Sequence, residues 1–149
     1  MSVLLHLVPS GTEARLGGAL PLLFRLENRG AEPLWLSRRL LLNGSHAPPG
    51  LRDLVLDVLG PGGARPFASR ISALLPDAGD YVRLAPGAAL ERAYADLLED
   101  YLLVTPGTYV LRGTFHDQHP TPPAAPAGTR LFQGPVVSGS VTVRVTPPG

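Results

Sequence analysis

The densest set of potential ligands in this chain is His116-Asp117-Gln118-His119, two imidazoles and a carboxylate in one short run. Donors of this kind suit a transition metal, but a site needs a third or fourth ligand, which would have to come from Asp117, His6 or His46. An Asx-type turn at Asp117, opening a solvated loop, accounts for the same residues without a metal. Asp96, Glu99 and Asp100 form a carboxylate group that could serve acid–base chemistry. Glycoside hydrolysis, however, needs two carboxyls facing each other across a cleft, and the side chains of sequence neighbours such as Glu99 and Asp100 diverge. Ser69, Ser72 and Ser138 lack a nucleophile elbow, because Gly134-Pro135-Val136-Val137-Ser138-Gly139 does not have the Gly-x-Ser-x-Gly spacing. Gly17-Gly18 and the Gly60 to Gly63 run precede no helix carrying Lys-Ser/Thr, so they read as turns rather than phosphate cradles.

Composition narrows the chemistry further. All 13 basic residues are Arg, so Schiff-base and Lys-base catalysis are excluded, and the absence of Cys removes thiol catalysis, thiolate metal sites and disulfides. Thirteen basic against 12 acidic residues give a formal net charge of +1, too little to steer nucleic acid or an anionic membrane to the surface. The N-terminal run MSVLLHLVPSGTEARLGGALPLLF has no basic n-region, and His6 and the Pro9 to Leu16 segment interrupt its apolar stretch. No apolar run approaches the roughly 18 to 20 residues of a membrane-spanning helix. We therefore expect a cytoplasmic, non-enzymatic protein without cofactor or metal, whose partner is another protein rather than nucleic acid or membrane.

The elements that would position any site read as strands. With 44% hydrophobic residues, 17 Gly and 17 Pro in 149 positions, the chain has the apolar runs and frequent turns of a single all-β domain spanning 1–149. Strands are expected at Ser2 to Val8, Leu20 to Glu27, Pro33 to Ser37, Leu51 to Leu59, Tyr81 to Leu84 and Ser138 to Val145. After the Pro106-Gly107 corner, Tyr109, Leu111, Gly113 and Phe115 recur at period two and should line a core. A Tyr in that place suggests the tyrosine corner of immunoglobulin-like sandwiches, its ring buried and its hydroxyl bonded to upstream backbone. Trp35, the only Trp, is expected in the core between two sheets. Residues 88–101 carry conflicting signals. Leu90, Ala93, Tyr94, Leu97, Leu98 and Tyr101 follow helical periodicity, yet a helix there would replace a strand of the sandwich.

The string DYVRLAPG from Asp80, the run ending in Asp96-Leu97, Tyr101-Leu102-Leu103, and Pro106-Gly107-Thr108-Tyr109 together resemble the immunoglobulin-like domain that precedes the catalytic domain of deuterolysin-type zinc metalloproteases. LFRLENRGAEP, ending at Pro33, is similar to that domain's early strand, turn and following strand, and Arg65-Pro66-Phe67 sits where the family carries an aromatic. The resemblance implies an antiparallel immunoglobulin-like β-sandwich of about seven to nine strands. It also resolves residues 88–101 as strand to about Asp96, then one short helical turn from Leu97 to Tyr101. The His-Glu-x-x-His motif of those proteases is absent, and no two His are even spaced i, i+4. Bacterial immunoglobulin-like modules and small intracellular proteinase inhibitors share this strand grammar, so the fold does not choose among functions.

The functional expectation is a protein-binding or structural module; the alternative is a small intracellular protease inhibitor or protease-associated regulatory domain. Residues 116–130 form a Pro-rich loop, and loops at the end of a rigid sandwich are where such folds carry recognition. The candidate protein-binding residues are His116, His119, Pro120, Pro122, Pro123 and Phe132.

Overall fold

The computed structural model describes residues 3–44, 53–69, 78–116 and 124–148. Twelve strand segments supply nearly all of the regular secondary structure of the described chain. They are β1 (Val3–Pro9), β2 (Glu13–Arg15), β3 (Leu22–Asn28), β4 (Leu34–Ser37), β5 (Leu54–Gly60), β6 (Gly63–Arg65), β7 (Tyr81–Leu84), β8 (Ala89–Tyr94), β9 (Gly107–Phe115), β10 (Arg130–Leu131), β11 (Val136–Val137) and β12 (Val141–Thr146). Eight have four residues or more, matching the expected count; the other four are short pieces at edges and breaks. Among the described residues, no helix is long and apolar enough to cross a membrane.

Two sheets form an immunoglobulin-like sandwich. One has the order β1-β3-β8, and the other β2-β12-β9-β5-β6, with β11 also on β9. Period-two burial drives their packing. Val3, Leu5 and Leu7 of β1 and Leu22, Phe24 and Leu26 of β3 face Leu54, Leu56 and Val58 of β5, Tyr109, Leu111 and Phe115 of β9, and Val143 and Val145 of β12. Each such side chain contributes roughly 1.5–3 kcal/mol by leaving water. Gly113 is the inward position of β9 left without a side chain, and Leu7 occupies its space: a Cβ there would lie 3.0 Å from Leu7 Cδ2.

A third, small sheet, β10-β4-β7, was not foreseen. It also contains one of the two parallel strand pairings among the described residues, β4 with β10; the other joins β2 to β12, and an isolated parallel bridge links Leu42 to Leu54. Its presence corrects the placement of Trp35. Leu34 and Leu36 are the core residues of β4, whereas Trp35 is half-buried on the other face, stacked on Tyr81 with ring centroids 6.3 Å apart.

Residues 88–101 take the strand-then-turn form. The β8 backbone completes the ladder on β3, from Leu22↔Tyr94 to Glu27↔Ala89, and α1 (Leu97–Asp100) follows. Asp96 caps α1 through Oδ1, which accepts from the Leu98 and Leu20 amides, both at 3.0 Å. Leu97, Leu98 and Tyr101 drop into the core, and Phe67 lies edge-on to Tyr101. Burial pushes the Tyr101 phenol pKa upward, and nearby Asp100 adds to the effect. The tyrosine corner is present. Tyr109 is 1% exposed, and its hydroxyl donates to the Thr105 carbonyl at 2.7 Å.

Candidate functional site

The connections β3–β5 and β9–β12, equivalent to the B–C and F–G connections of an immunoglobulin-like sandwich, converge at one end of the molecule. Each contributes a strand to the small third sheet, β4 from the first and β10 from the second. A cleft of about 460 Å³ opens there. Its walls are the turn after β3 and the segment from β10 to β11, and Val3 lies at its base.

The first wall is built on Asn28. Period two puts this residue in phase with Leu22, Phe24 and Leu26, so a polar side chain points inward at 0% exposure. Its amide nitrogen donates to the Glu32 carbonyl at 2.9 Å and to the Leu84 carbonyl at 3.0 Å, while Oδ1 accepts from the Gly30 amide at 3.0 Å. Its backbone N–H donates to the Ala88 carbonyl, and its carbonyl accepts from the Gly87 amide. One buried amide thus shapes the β3–β4 turn and fastens it to the β7–β8 turn, presenting Glu32 at the rim.

The second wall is held by backbone. Arg130 N–H donates to the Pro33 carbonyl and Phe132 N–H to the Trp35 carbonyl, both at 3.0 Å, so the chain returning to β11 is laid against β4. Phe132 then turns inward. At 5% exposure it packs on Phe115 with centroids 5.2 Å apart, so its ring supports the cleft rather than offering a docking surface. Arg130 and Gln133 are exposed at the rim. Glu32 and Arg130 therefore put opposite charges on facing walls of a half-apolar groove.

Two charge clusters brace the surroundings. Glu27 accepts from Arg29 Nε at 3.0 Å and contacts His6 Nε2 at 3.3 Å; the Arg29 hydrogen bond, then that from His6, holds its carboxyl below the usual glutamate value. Asp53, almost wholly buried, receives Arg39 in a two-point contact, Nε to Oδ2 at 2.7 Å and Nη2 to Oδ1 at 2.9 Å, and accepts from the Leu41 amide. The same segment carries Leu40 at φ 46°, a left-handed backbone that a bulky residue adopts only under restraint. Tyr94 supplies that restraint. Its hydroxyl donates to the Leu40 carbonyl at 2.6 Å and accepts from the Leu42 amide at 2.8 Å. Burial raises the Tyr94 phenol pKa.

Of the residues expected to form a recognition loop, His116 begins it, its backbone N–H donating to the Asp53 carbonyl at 2.6 Å. His119, Pro120, Pro122 and Pro123 lie outside the described residues, as do Asp117 and His46. The chain matches no protein-family model and no curated protein. Four of the residues weighed for catalysis make hydrogen bonds within the fold. Asp96 caps α1, Asp100 Oδ1 accepts from Ser69 Oγ at 2.7 Å, and Ser138 Oγ accepts from the Gly113 amide at 2.8 Å across the break between β11 and β12. Among the described residues, no three His, Asp or Glu side chains are grouped to hold a metal ion.

Asn28, Glu32 and Arg130 were not among the expected site residues. Only Asn28 left a signal in the sequence, as a polar residue at an inward position of an alternating strand.

Proposed function

We propose that this chain is a non-catalytic, protein-binding immunoglobulin-like module that grips its partner in the cleft between the β3–β4 turn and the β10–β11 segment. The observation that carries this reading is the construction of the cleft. Its walls come from distant parts of the chain, are fixed by buried hydrogen bonds, and present Glu32 and Arg130 over an apolar floor. A pre-formed concavity with few polar groups binds without paying for loop ordering.

A second reading makes the partner a protease, with the chain as inhibitor or associated regulatory domain. It draws on the resemblance of Asp80 to Tyr109 to the domain preceding deuterolysin-type catalytic domains. One experiment separates the two. Wild type, a Glu32→Arg/Arg130→Glu double variant and a Thr142→Lys control on an exposed β12 position are used to capture partners from the native source. Loss of a partner by the double variant alone supports the cleft, and a lost partner that is a peptidase slowed by wild type supports the second reading. An identical partner set for all three proteins removes the cleft from consideration.

A further inference from the structure

β10 is the end strand of the small third sheet, and one of its two edges is unpaired. The N–H groups of Arg130 and Phe132 both point at β4, donating to the Pro33 and Trp35 carbonyls at 3.0 Å. Main-chain groups of successive strand residues point to opposite sides, so the Leu131 N–H and C=O are directed away from β4. Neither has a partner among the described residues. The register sets Arg130 beside the core-facing Leu34 and Leu131 beside Trp35. Their side chains therefore leave on opposite faces of the sheet, and the free edge lies between them. Leu131 is half-buried and Gln133 exposed, and both line the cleft between the β3–β4 turn and the β10–β11 segment.

A main-chain donor and acceptor side by side on a strand edge are matched by one chemistry, the backbone of another extended chain. A helix has already used its own amides internally and would reach this edge only through side chains. Charge narrows the match further. Glu32 and Arg130 stand exposed on facing walls and complement a basic and an acidic side chain. Because β10 is two residues long, it can order one short segment but offers no long template for aggregation.

We propose that the partner enters the cleft as a short extended segment that adds to the free edge of β10. Its main chain bonds to the Leu131 N–H and C=O, and it sets a basic side chain against Glu32 and an acidic one against Arg130. This mode of binding rests on the cleft being the site that grips the partner, and it makes main chain the first element of recognition and charge the second.

The probe is an acetylated and amidated hexapeptide, Val-Lys-Val-Glu-Val-Thr, titrated into the nitrogen-15-labelled full chain. Two further versions are N-methylated, one at the odd positions and one at the even positions, so that each lacks the donors of one edge. The expected result is saturable shifts of the Leu131 and Gln133 amides, with hydrogen exchange slowed at the Leu131 N–H. One N-methylated version should bind about tenfold more weakly, as the loss of hydrogen bonds requires, while the other binds as the parent does. Leu131→Pro deletes the free N–H and spares the two that hold β10 to β4, a placement that an edge strand tolerates, and should weaken binding to the same degree. Slow exchange at the Arg130 and Phe132 amides verifies that the strand is intact in this variant. The N-methyl comparison uses the wild-type protein, so it decides even if the variant folds poorly. Equal binding of all three peptides, loss with both N-methylated versions, shifts without slowed exchange at Leu131, or no saturable shift at about 10 mM peptide, well above a weak Kd of about 1 mM, would each overturn strand addition. In partner capture, a protein lost by Glu32→Arg/Arg130→Glu but kept by Leu131→Pro overturns strand addition alone, and one kept by both removes the cleft as well.

Discussion

Gly60 and Tyr109 make the sharpest test of how this sandwich is closed. A Cβ at Gly60 would sit 2.6 Å from Tyr109 Cδ2 and 3.1 Å from Cζ, whereas carbon atoms in contact prefer about 3.5–4.0 Å. The ring has little room to yield. It is 1% exposed and tethered by its hydroxyl to Thr105, and Pro61 packs against the Gly107 that precedes it in β9. Gly60→Ala should therefore reach the upper end of the overpacking range, about 3 kcal/mol. Tyr109→Leu removes the obstacle at its own cost of about 2–4 kcal/mol, and in that background Gly60→Ala should cost less than about 1 kcal/mol. The resulting coupling of about 2 kcal/mol is measurable by urea denaturation of the wild type, both single variants and the double variant, with m-values compared to verify two-state unfolding. Tyr109→Phe adds a separate reading of the hydroxyl. Thr105 is exposed and water can replace the lost bond, so the cost should be near the low end, about 1 kcal/mol. A Gly60→Ala cost below about 1 kcal/mol, or a coupling within about 0.5 kcal/mol of zero, would refute the picture of a ring locked against the β5–β6 turn.

Other parts of the structure give further expectations. Asn28→Ala removes three side-chain hydrogen bonds at a buried site and should cost about 3 kcal/mol, measured by the same denaturation. Arg39→Met leaves the Asp53 carboxylate buried without its guanidinium and should destabilise by about 3–5 kcal/mol; an effect below about 1 kcal/mol would show Asp53 to be satisfied by backbone alone. Carbon-detected NMR titration should find Glu27 ionising below the usual glutamate value, and Arg29→Met should move it back up. Because this carboxyl is depressed on folding, its contribution is present above the usual glutamate range and fades as pH falls through the folded value; an unchanged titration in Arg29→Met would contradict the assignment.

What could be read from the sequence follows a physical divide. Alternation within one strand and the corners around it are local, so the inward faces of β3 and β9 and the Tyr109 corner were legible from residue order. The β8 segment shows where local signals mislead. Its helical spacing is real, but the backbone hydrogen bonds available on the edge of β3 outweigh it, and only Leu97 to Asp100 remain helical. Trp35 and Phe132 fail for a different reason. Both depend on β4 pairing with β10, a contact between residues nearly a hundred positions apart that no local pattern announces. That pairing turns Trp35 away from the main core and draws Phe132 into it. The candidate cleft was hidden by the same non-local geometry, since Glu32 and Arg130 meet only when the third sheet forms.

That third sheet also separates what must be kept from what can change. The chain between His116 and Arg130 leaves from a bond to Asp53 and returns to a bond with Pro33, each made by main chain and indifferent to side-chain identity. With both ends secured, doubling the intervening length adds only about 0.6 kcal/mol of closure entropy. A longer connection between these two bonds therefore costs the sandwich little, and an engineer could lengthen it there.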